Sequence, residues 1–233
     1  MDAETSKHLL TVLQQLQQYL PPLATPVDWG RVEAAQWIAQ QAGGYLQAIR
    51  NTSGIRLQDL QGVDRQKQVL EQNIKQFLHG YPANHALLWG ARGTGKSSIV
   101  RAMLNEYAAD GLRLIQVEKA DLKHLPVIAE SIAGASFKFV IFCDDLSFDA
   151  HDDSYKALKS ALEGSVFAVP ENVLLIATSN RRHLLPEYQS DNTTTYITDS
   201  EIHYGEAVEE KISLSDRFGL WLSFYSIDQS HYL

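Results

Sequence analysis

Apolar positions along this chain fall into two kinds of pattern, helically spaced faces and short unbroken runs. Leu9, Val12, Leu13, Leu16 and Leu20 recur at helical spacing, which predicts a helix that Pro21-Pro22 brings to an end. A second helix is predicted from about Asp28, a cap candidate, to Gln41, ahead of Gly43-Gly44. Its Trp29, Val32, Trp37 and Ile38 read as core or interface residues rather than a cofactor site. Asn51-Thr52-Ser53-Gly54 reads as a linker. Ile55 to Gly62 then leads into a helix with Asp64 at its cap, Gly80 past its end, and Glu71 and Lys75 spaced for an ion pair.

Beyond that helix the unbroken runs take over. His85–Trp89, Leu112–Val117, Phe137–Cys143, Val173–Thr178 and Leu220–Tyr225 predict strands. Between them, Ser98–Ala109, Leu122–Ala133 and Ser154–Leu162 predict helices. This alternation predicts an α/β fold, a five-stranded parallel sheet with helices on both faces. The expected organisation is a helical N-terminal extension over 1–54 and an α/β core over 55–233, with no internal repeat. Residues 187–216 stand apart. They hold eight acidic residues (Glu187, Asp191, Asp199, Glu201, Glu206, Glu209, Glu210 and Asp216) against one lysine, Lys211. Such an insertion reads either as a solvated loop or as a partner-docking or pore-like loop, and it is poorly suited to holding DNA.

Composition narrows the classes. A chain of 233 residues that is 45% hydrophobic can bury a core. A net charge of −8 and a pI near 5.4 argue against a global electrostatic grip on nucleic acid, though not against a local basic face. The acidic start lacks the features of a signal peptide, and no apolar run approaches the roughly 18 residues of a membrane span. The single cysteine, Cys143, lies in an apolar strand and reads as a buried small hydrophobe. With no pair to oxidise, the expected compartment is the cytoplasm.

The run Gly90-Ala91-Arg92-Gly93-Thr94-Gly95-Lys96-Ser97, continued by Ser98, has the spacing G-x-x-x-x-G-K-S of a phosphate-binding loop. Its glycines let backbone N–H groups curl around an anion, Lys96 reaches the outer phosphates, and the Ser97 hydroxyl serves Mg²⁺. A predicted strand before it and a helix after it supply the context the motif needs. Such a loop also needs a carboxylate for the metal and a group that orients water. Phe139-Val140-Ile141-Phe142-Cys143-Asp144-Asp145 ends an apolar strand in two acids. Asp144 is the candidate metal holder beside Ser97, and Asp145 the residue that polarises the attacking water.

Two further candidates follow. Leu174 to Asn180 ends at the carboxyl edge of the next strand, the edge where open α/β sheets bind ligands. Asn180 there either contacts the γ-phosphate or the water, or caps a turn. Arg217, within Ser215-Asp216-Arg217-Phe218-Gly219, is either a surface ion-pair residue or an arginine finger inserted by a neighbouring subunit. Arg181 and Arg182 are its rivals.

These pieces in this order resemble the AAA+ ATPases. Gly90–Ser97 matches Walker A, Val140–Asp145 matches Walker B, Asn180 matches the first sensor, and Arg217 matches the arginine-finger position. Leu57 to Asp64, including Gly62 and Val63, is similar to the segment that flanks adenine in this superfamily. More narrowly, Gly62–Gln68 leading to Trp89–Ser97, together with Ala177–Tyr188, resembles a bacterial family of predicted AAA+ ATPases filed as a domain of unknown function. The resemblance runs from about Ile55 to the end. It implies ATP and ADP as ligands, Mg²⁺ as cofactor, a homo-oligomer with Arg217 acting in trans, and hydrolysis of ATP coupled to remodelling a partner.

Two departures matter. Walker B usually ends Asp-Glu, whereas here it ends Asp144-Asp145, one methylene shorter, which predicts slow turnover. The resemblance also implies a helical lid after the last strand, and only eight residues follow Tyr225. The lid is therefore expected to be trimmed or very short. The acidic surface makes protein the expected partner ahead of nucleic acid, and no membrane is expected. Beside the ATPase stand two alternatives: an ATP-binding assembly switch with little hydrolysis, and a DNA-associated AAA+ ATPase.

Overall fold

In the computed structural model the described residues are 26–40, 43–148, 169–181 and 217–225, the short strands at 196–198 and 201–203, and the single positions 8, 158, 159, 162 and 184. Strands β1 (Ala34–Gln40), β2 (Gly43–Ile49), β3 (Ala86–Gly90), β4 (Leu112–Gln116), β5 (Lys138–Cys143), β6 (Val173–Ser179) and β9 (Leu220–Phe224) form one sheet. Its order is β2-β1-β4-β5-β6-β3-β9. All neighbouring strands run parallel except β1 and β2, which form an antiparallel pair. Strands β7 (Tyr196–Thr198) and β8 (Glu201–His203) pair separately. The helices are α1 (Asp64–Leu78), α2 (Lys96–Tyr107) and α3 (Leu125–Ile132).

Both faces of the sheet are covered, and that explains why its central strands carry no polar alternation. On one face, Leu70, Ile74 and Phe77 of α1 and Ile99, Met103 and Leu104 of α2 share a core with Leu88, Val140, Phe142 and Ile176. On the other, Ile128 and Ile132 of α3 pack with Ile115, Phe139, Ile141 and Leu175. Buried polar Asn73 clips α1 to the chain entering β3: its Nδ2 donates to Asn84 O at 2.9 Å and its Oδ1 accepts from Asn84 N at 3.0 Å. The start of the phosphate-binding loop is thus tied to a packed helix. Among the described residues no helix is long and apolar enough to cross a membrane.

The five expected parallel strands all form. So do α1, with Gly80 at φ 77° past its end and the Glu71–Lys75 pair at 2.9 Å, and the helix after the loop. Asp64 opens α1 as its first residue rather than capping it, and pairs with Lys67 at 2.7 Å. The stretch expected as one helix over Leu122–Ala133 is a 3-10 turn, Lys119–His124, running into α3.

The second expected helix, Asp28–Gln41, is a correction. Asp28 closes a turn: its Oδ1 accepts from Gly30 N at 3.1 Å, and its carbonyl accepts from Arg31 N and Val32 N. The chain then enters β1, which pairs with β4 on one side and β2 on the other. The sheet therefore has seven strands rather than five, and residues 34–49 extend the core instead of forming a helical appendage. Pairing overrides propensity here, because Ala and Gln favour helix locally while the edge of β4 offers a hydrogen-bonding partner. Gly44 ends no helix. A Cβ on it would lie 2.4 Å from Trp37 Cζ2, so its lack of a side chain makes room for the indole on the paired strand. The helix expected over Leu9–Leu20 lies outside the described residues. So do most of Ser154–Leu162 and, apart from β7 and β8, most of the acidic insertion.

Candidate functional site at the carboxyl edge of the sheet

Strands β3, β5 and β6 all end at the same edge, and each delivers part of one polar cluster. From β3 the chain turns through the loop into α2. Gly90 has φ 139°, and a Cβ there would sit 1.9 Å from the Phe224 carbonyl oxygen on β9. Only glycine lets the loop start this close to the neighbouring strand. Gly95, at φ 91°, is the N-cap of α2 and aims the unpaired N–H groups of that helix at the cleft. Among the described residues the first turn of α2 holds no acid, so nothing there competes with an anion.

Lys96 is 7% exposed and sits under the loop. Its Nζ donates to Gly90 O at 2.8 Å, Ala91 O at 2.6 Å and Asn180 Oδ1 at 3.1 Å. Burial pulls its pKa below the usual lysine value, an effect that Asp145 and Asp144 oppose. The Thr94 hydroxyl donates to Ala91 O at 2.8 Å and tightens the loop's tip.

From β5 come the two acids. Asp144 Oδ1 accepts from Ser97 Oγ at 2.6 Å and from Thr178 Oγ1 at 2.5 Å. Asp145 has φ 54°, the one non-glycine residue with positive φ among those described. Its backbone N–H donates to Thr178 Oγ1 at 2.9 Å. Its carboxylate accepts from Asn180 Nδ2 and faces Arg92 Nη2 at 3.6 Å. From β6, the Asn180 amide therefore bridges Lys96 and Asp145, oxygen to the ammonium and nitrogen to the carboxylate.

These groups line a cleft of about 680 Å³, a size suited to a small-molecule ligand. Its other wall is Asp59, Leu60, Gln61 and Val63. Lys67 Nζ holds this wall by donating to Leu60 O at 2.6 Å, and Gln66 Nε2 donates to Ser223 O at 2.7 Å. Of the residues expected from sequence, Arg92, Gly93, Thr94, Gly95, Lys96, Ser97, Ser98, Asp144, Asp145, Asn180 and Val63 all line the cleft. Gly62, at φ 72°, adjoins it, and Gly90 and Ala91 are joined to it through their carbonyls, which accept from Lys96. Arg181 and Arg217 are exposed and outside the lining. Arg182 lies outside the described residues.

Sequence reading missed Thr178, although it is a polar residue in an otherwise apolar run and lies two places before Asn180. It also missed the contact of Arg92 with Asp145, which the loop pattern treats as a variable position. The donor set suits Mg²⁺. One carboxylate and one hydroxyl, 2.6 Å apart, are hard oxygen ligands for an ion that takes few protein ligands and completes its shell from phosphates and water.

Comparison with known proteins places the chain in a family. A family model described as "Protein of unknown function (DUF815)" matches residues 30–233, and the chain belongs to that family. A stretch of 70 residues is 37% identical to the replication factor C large subunit of Ignicoccus hospitalis, covering 29% of this chain and 14% of that protein. The chain is also similar to the Aeropyrum pernix Orc1 protein, solved in complex with DNA. There the identity is 14% and the TM-score 0.48, over 70% of this chain and 45% of that one. The chain thus spans a minor part of each of these relatives.

Proposed function

We propose, taking membership of that family as the premise, that the chain binds ATP in this cleft and hydrolyses it to ADP and phosphate as an AAA+ ATPase. The observation that carries the reading is the single hydrogen-bonded network Ser97–Asp144–Thr178–Asp145–Asn180–Lys96 at the mouth of α2. It joins Ser97 and Lys96 of the loop to the two acids at the end of β5, the pieces that this reading needs.

In this reading the N–H groups of Gly93 to Ser97 cradle the phosphates, and Lys96 exchanges its bonds to the Gly90 and Ala91 carbonyls for phosphate oxygens. Ser97 and Asp144 would hold Mg²⁺, whose charge would offset that on the phosphate oxygens. Asp145 orients a water for in-line attack on the γ-phosphorus; the bond to the ADP oxygen breaks and the water's proton passes toward Asp145. Asn180 reads the γ-phosphate from its place between Lys96 and Asp145. Asp59 to Val63 form the wall against the base. Arg217, exposed and outside the cleft, is assigned to a neighbouring subunit's site in a homo-oligomer. A net charge of −8 favours a protein as the remodelled partner.

A second reading, an ATP-binding assembly switch with little hydrolysis, draws on one observation. Asp145 is already engaged by Asn180 and Arg92, which leaves it poorly available to water. Phosphate release decides between them. Turnover in the wild type that disappears in Lys96→Ala and Asp145→Asn supports the ATPase, while tight Mg²⁺-ATP binding without turnover supports the switch. Salt-sensitive DNA binding by the wild type would bring a DNA-associated role forward.

A further inference from the structure

Thr178 is 1% exposed and stands between the two acids, touching both. Its hydroxyl donates to Asp144 Oδ1 at 2.5 Å and accepts from the Asp145 backbone N–H at 2.9 Å. Its own carbonyl accepts from Leu146 N at 2.7 Å. One residue of β6 thus fastens three consecutive residues at the end of β5. The strand register delivers it: Cys143 pairs with Ala177, so Thr178 is the next position along, level with the turn where Asp144 begins.

The turn needs fastening because Asp145 lies at φ 54°, where an L residue is disfavoured. The unusual backbone has a consequence for chemistry. An aspartate is one methylene shorter than the glutamate expected at this position. The left-handed conformation changes the direction in which its Cα–Cβ bond leaves the chain, and the carboxylate reaches Asn180 at the cleft. At the same time Asp144 Oδ1 is held where it also receives the Ser97 hydroxyl.

We propose that Thr178 is a positioning residue for this site. Its hydroxyl orients Asp144 toward the metal and locks the turn that lets the short Asp145 serve in place of glutamate. The proposal rests on the ATPase reading of the cleft. Asp144 is held by two hydroxyl donors, and only one of them, Ser97, belongs to the phosphate-binding loop. Removing Thr178's hydroxyl therefore takes one partner from each acid, while the bonds of Lys96 to the Gly90 and Ala91 carbonyls do not involve it.

The test compares wild type, Thr178→Val and Thr178→Ser, with ATP as nucleotide and Mn²⁺ as the metal probe. Valine keeps the shape and removes the hydroxyl; serine keeps the hydroxyl. In Thr178→Val, ATP binding in EDTA is expected to stay at the wild-type level. Mn²⁺ affinity of the ATP complex, read from the free-ion paramagnetic resonance signal, is expected to fall about ten-fold or more, as for other partners of metal-holding carboxylates. Its kcat is expected to fall with KM little changed, and Thr178→Ser to recover both quantities. Should Thr178→Val fail to fold, Thr178→Ala carries the same comparison. Equal Mn²⁺ affinity in wild type and Thr178→Val overturns the proposal whatever turnover does, and so does a serine variant that behaves like valine. A wild type that binds Mn²⁺-ATP but releases no phosphate sinks the hydrolysis reading alone, because the Mn²⁺ comparison still decides the role of Thr178. A wild type that binds no ATP removes both.

Discussion

The carboxyl edge of β3, β5 and β6 and the β1–β2 hairpin belong to one sheet, yet they are specified in different ways. At the first, polar groups meet in series: Lys96, Asn180, Asp145, Thr178, Asp144 and Ser97 are linked side chain to side chain, except that Asp145 reaches Thr178 through its backbone N–H. At the second, main chain meets main chain along the paired strands, and Gly44 leaves room for the Trp37 indole. Two arginines condense the contrast. Arg92, at the cleft, is largely exposed and faces Asp145 at 3.6 Å. Arg113, on β4 beside the hairpin, is 7% exposed. Its Nε donates to Trp29 O at 2.8 Å, its Nη1 donates to Ala108 O at 2.8 Å and Leu112 O at 2.7 Å, and its guanidinium lies 4.1 Å from the Phe137 ring centre. One arginine faces the acids of the cleft, while the other joins the turn at Asp28–Val32 to the sheet. The difference separates residues kept for chemistry from residues kept for folding.

The sharpest way to break that separation is Gly90, which belongs to both. Alanine there would place a Cβ 1.9 Å from a backbone oxygen of β9 and force an L residue to φ 139°. Gly90→Ala is expected to lose on the order of 4 kcal/mol or more, together with ATP binding. Gly93 has φ 78° but nothing within 4 Å of a Cβ. Gly93→Ala is expected to cost only about 1 kcal/mol and to remain folded. Thermal melts of the two variants check this, and a Gly90→Ala protein that melts with the wild type would mean that β9 is not pressed against the loop.

Next in size is Arg113→Ala. It removes a donor from three carbonyl oxygens, of which Ala108 O keeps the Gly111 N–H, and a cation from the Phe137 ring, and is expected to cost on the order of 3 kcal/mol. The loss should appear in urea unfolding, while nucleotide affinity per folded molecule stays unchanged. If affinity fell as well, the hairpin side and the cleft would be energetically one unit, and the comparison drawn above would fail.

What could be read from the sequence follows the same division. The loop Gly90–Ser97 is legible because its chemistry is contiguous in the chain: the glycines, lysine and serine that act together are neighbours. Asp144 and Asp145 are legible because an unbroken apolar run marks a buried parallel strand and the acids mark where it ends. Asn180 follows by the same logic. Thr178 is not legible, since its role depends on the pairing of Cys143 with Ala177, a register that a single sequence does not encode visibly. The hairpin is hidden for a related reason. Ala34 to Gln40 is rich in residues that favour helix, and what makes it a strand is β4, far away in the chain. Gly43-Gly44 reads as the end of a helix, whereas the reason for Gly44, the indole of Trp37, lies on the partner strand.

The smallest expected effect is at Arg92, and it bears on why that residue stands in the loop. Both ends of its ion pair with Asp145 are well exposed, with side-chain accessibilities of 84% and 55%. Water screens such a pair, and its worth to the fold is about 0–1 kcal/mol. Arg92→Ala should therefore unfold with the wild type to within about 0.5 kcal/mol. Its effect should fall on the reaction instead. The Asp145 carboxylate loses Arg92 and keeps Asn180, so on the proposed ATPase reading single-turnover hydrolysis measured against salt is the informative quantity. Wild-type hydrolysis should change as salt screens the Arg92–Asp145 pair, and Arg92→Ala should lose much of that dependence. A variant that melts several degrees lower, with its salt dependence intact, would show that Arg92 is kept for stability and would move it to the side of Arg113.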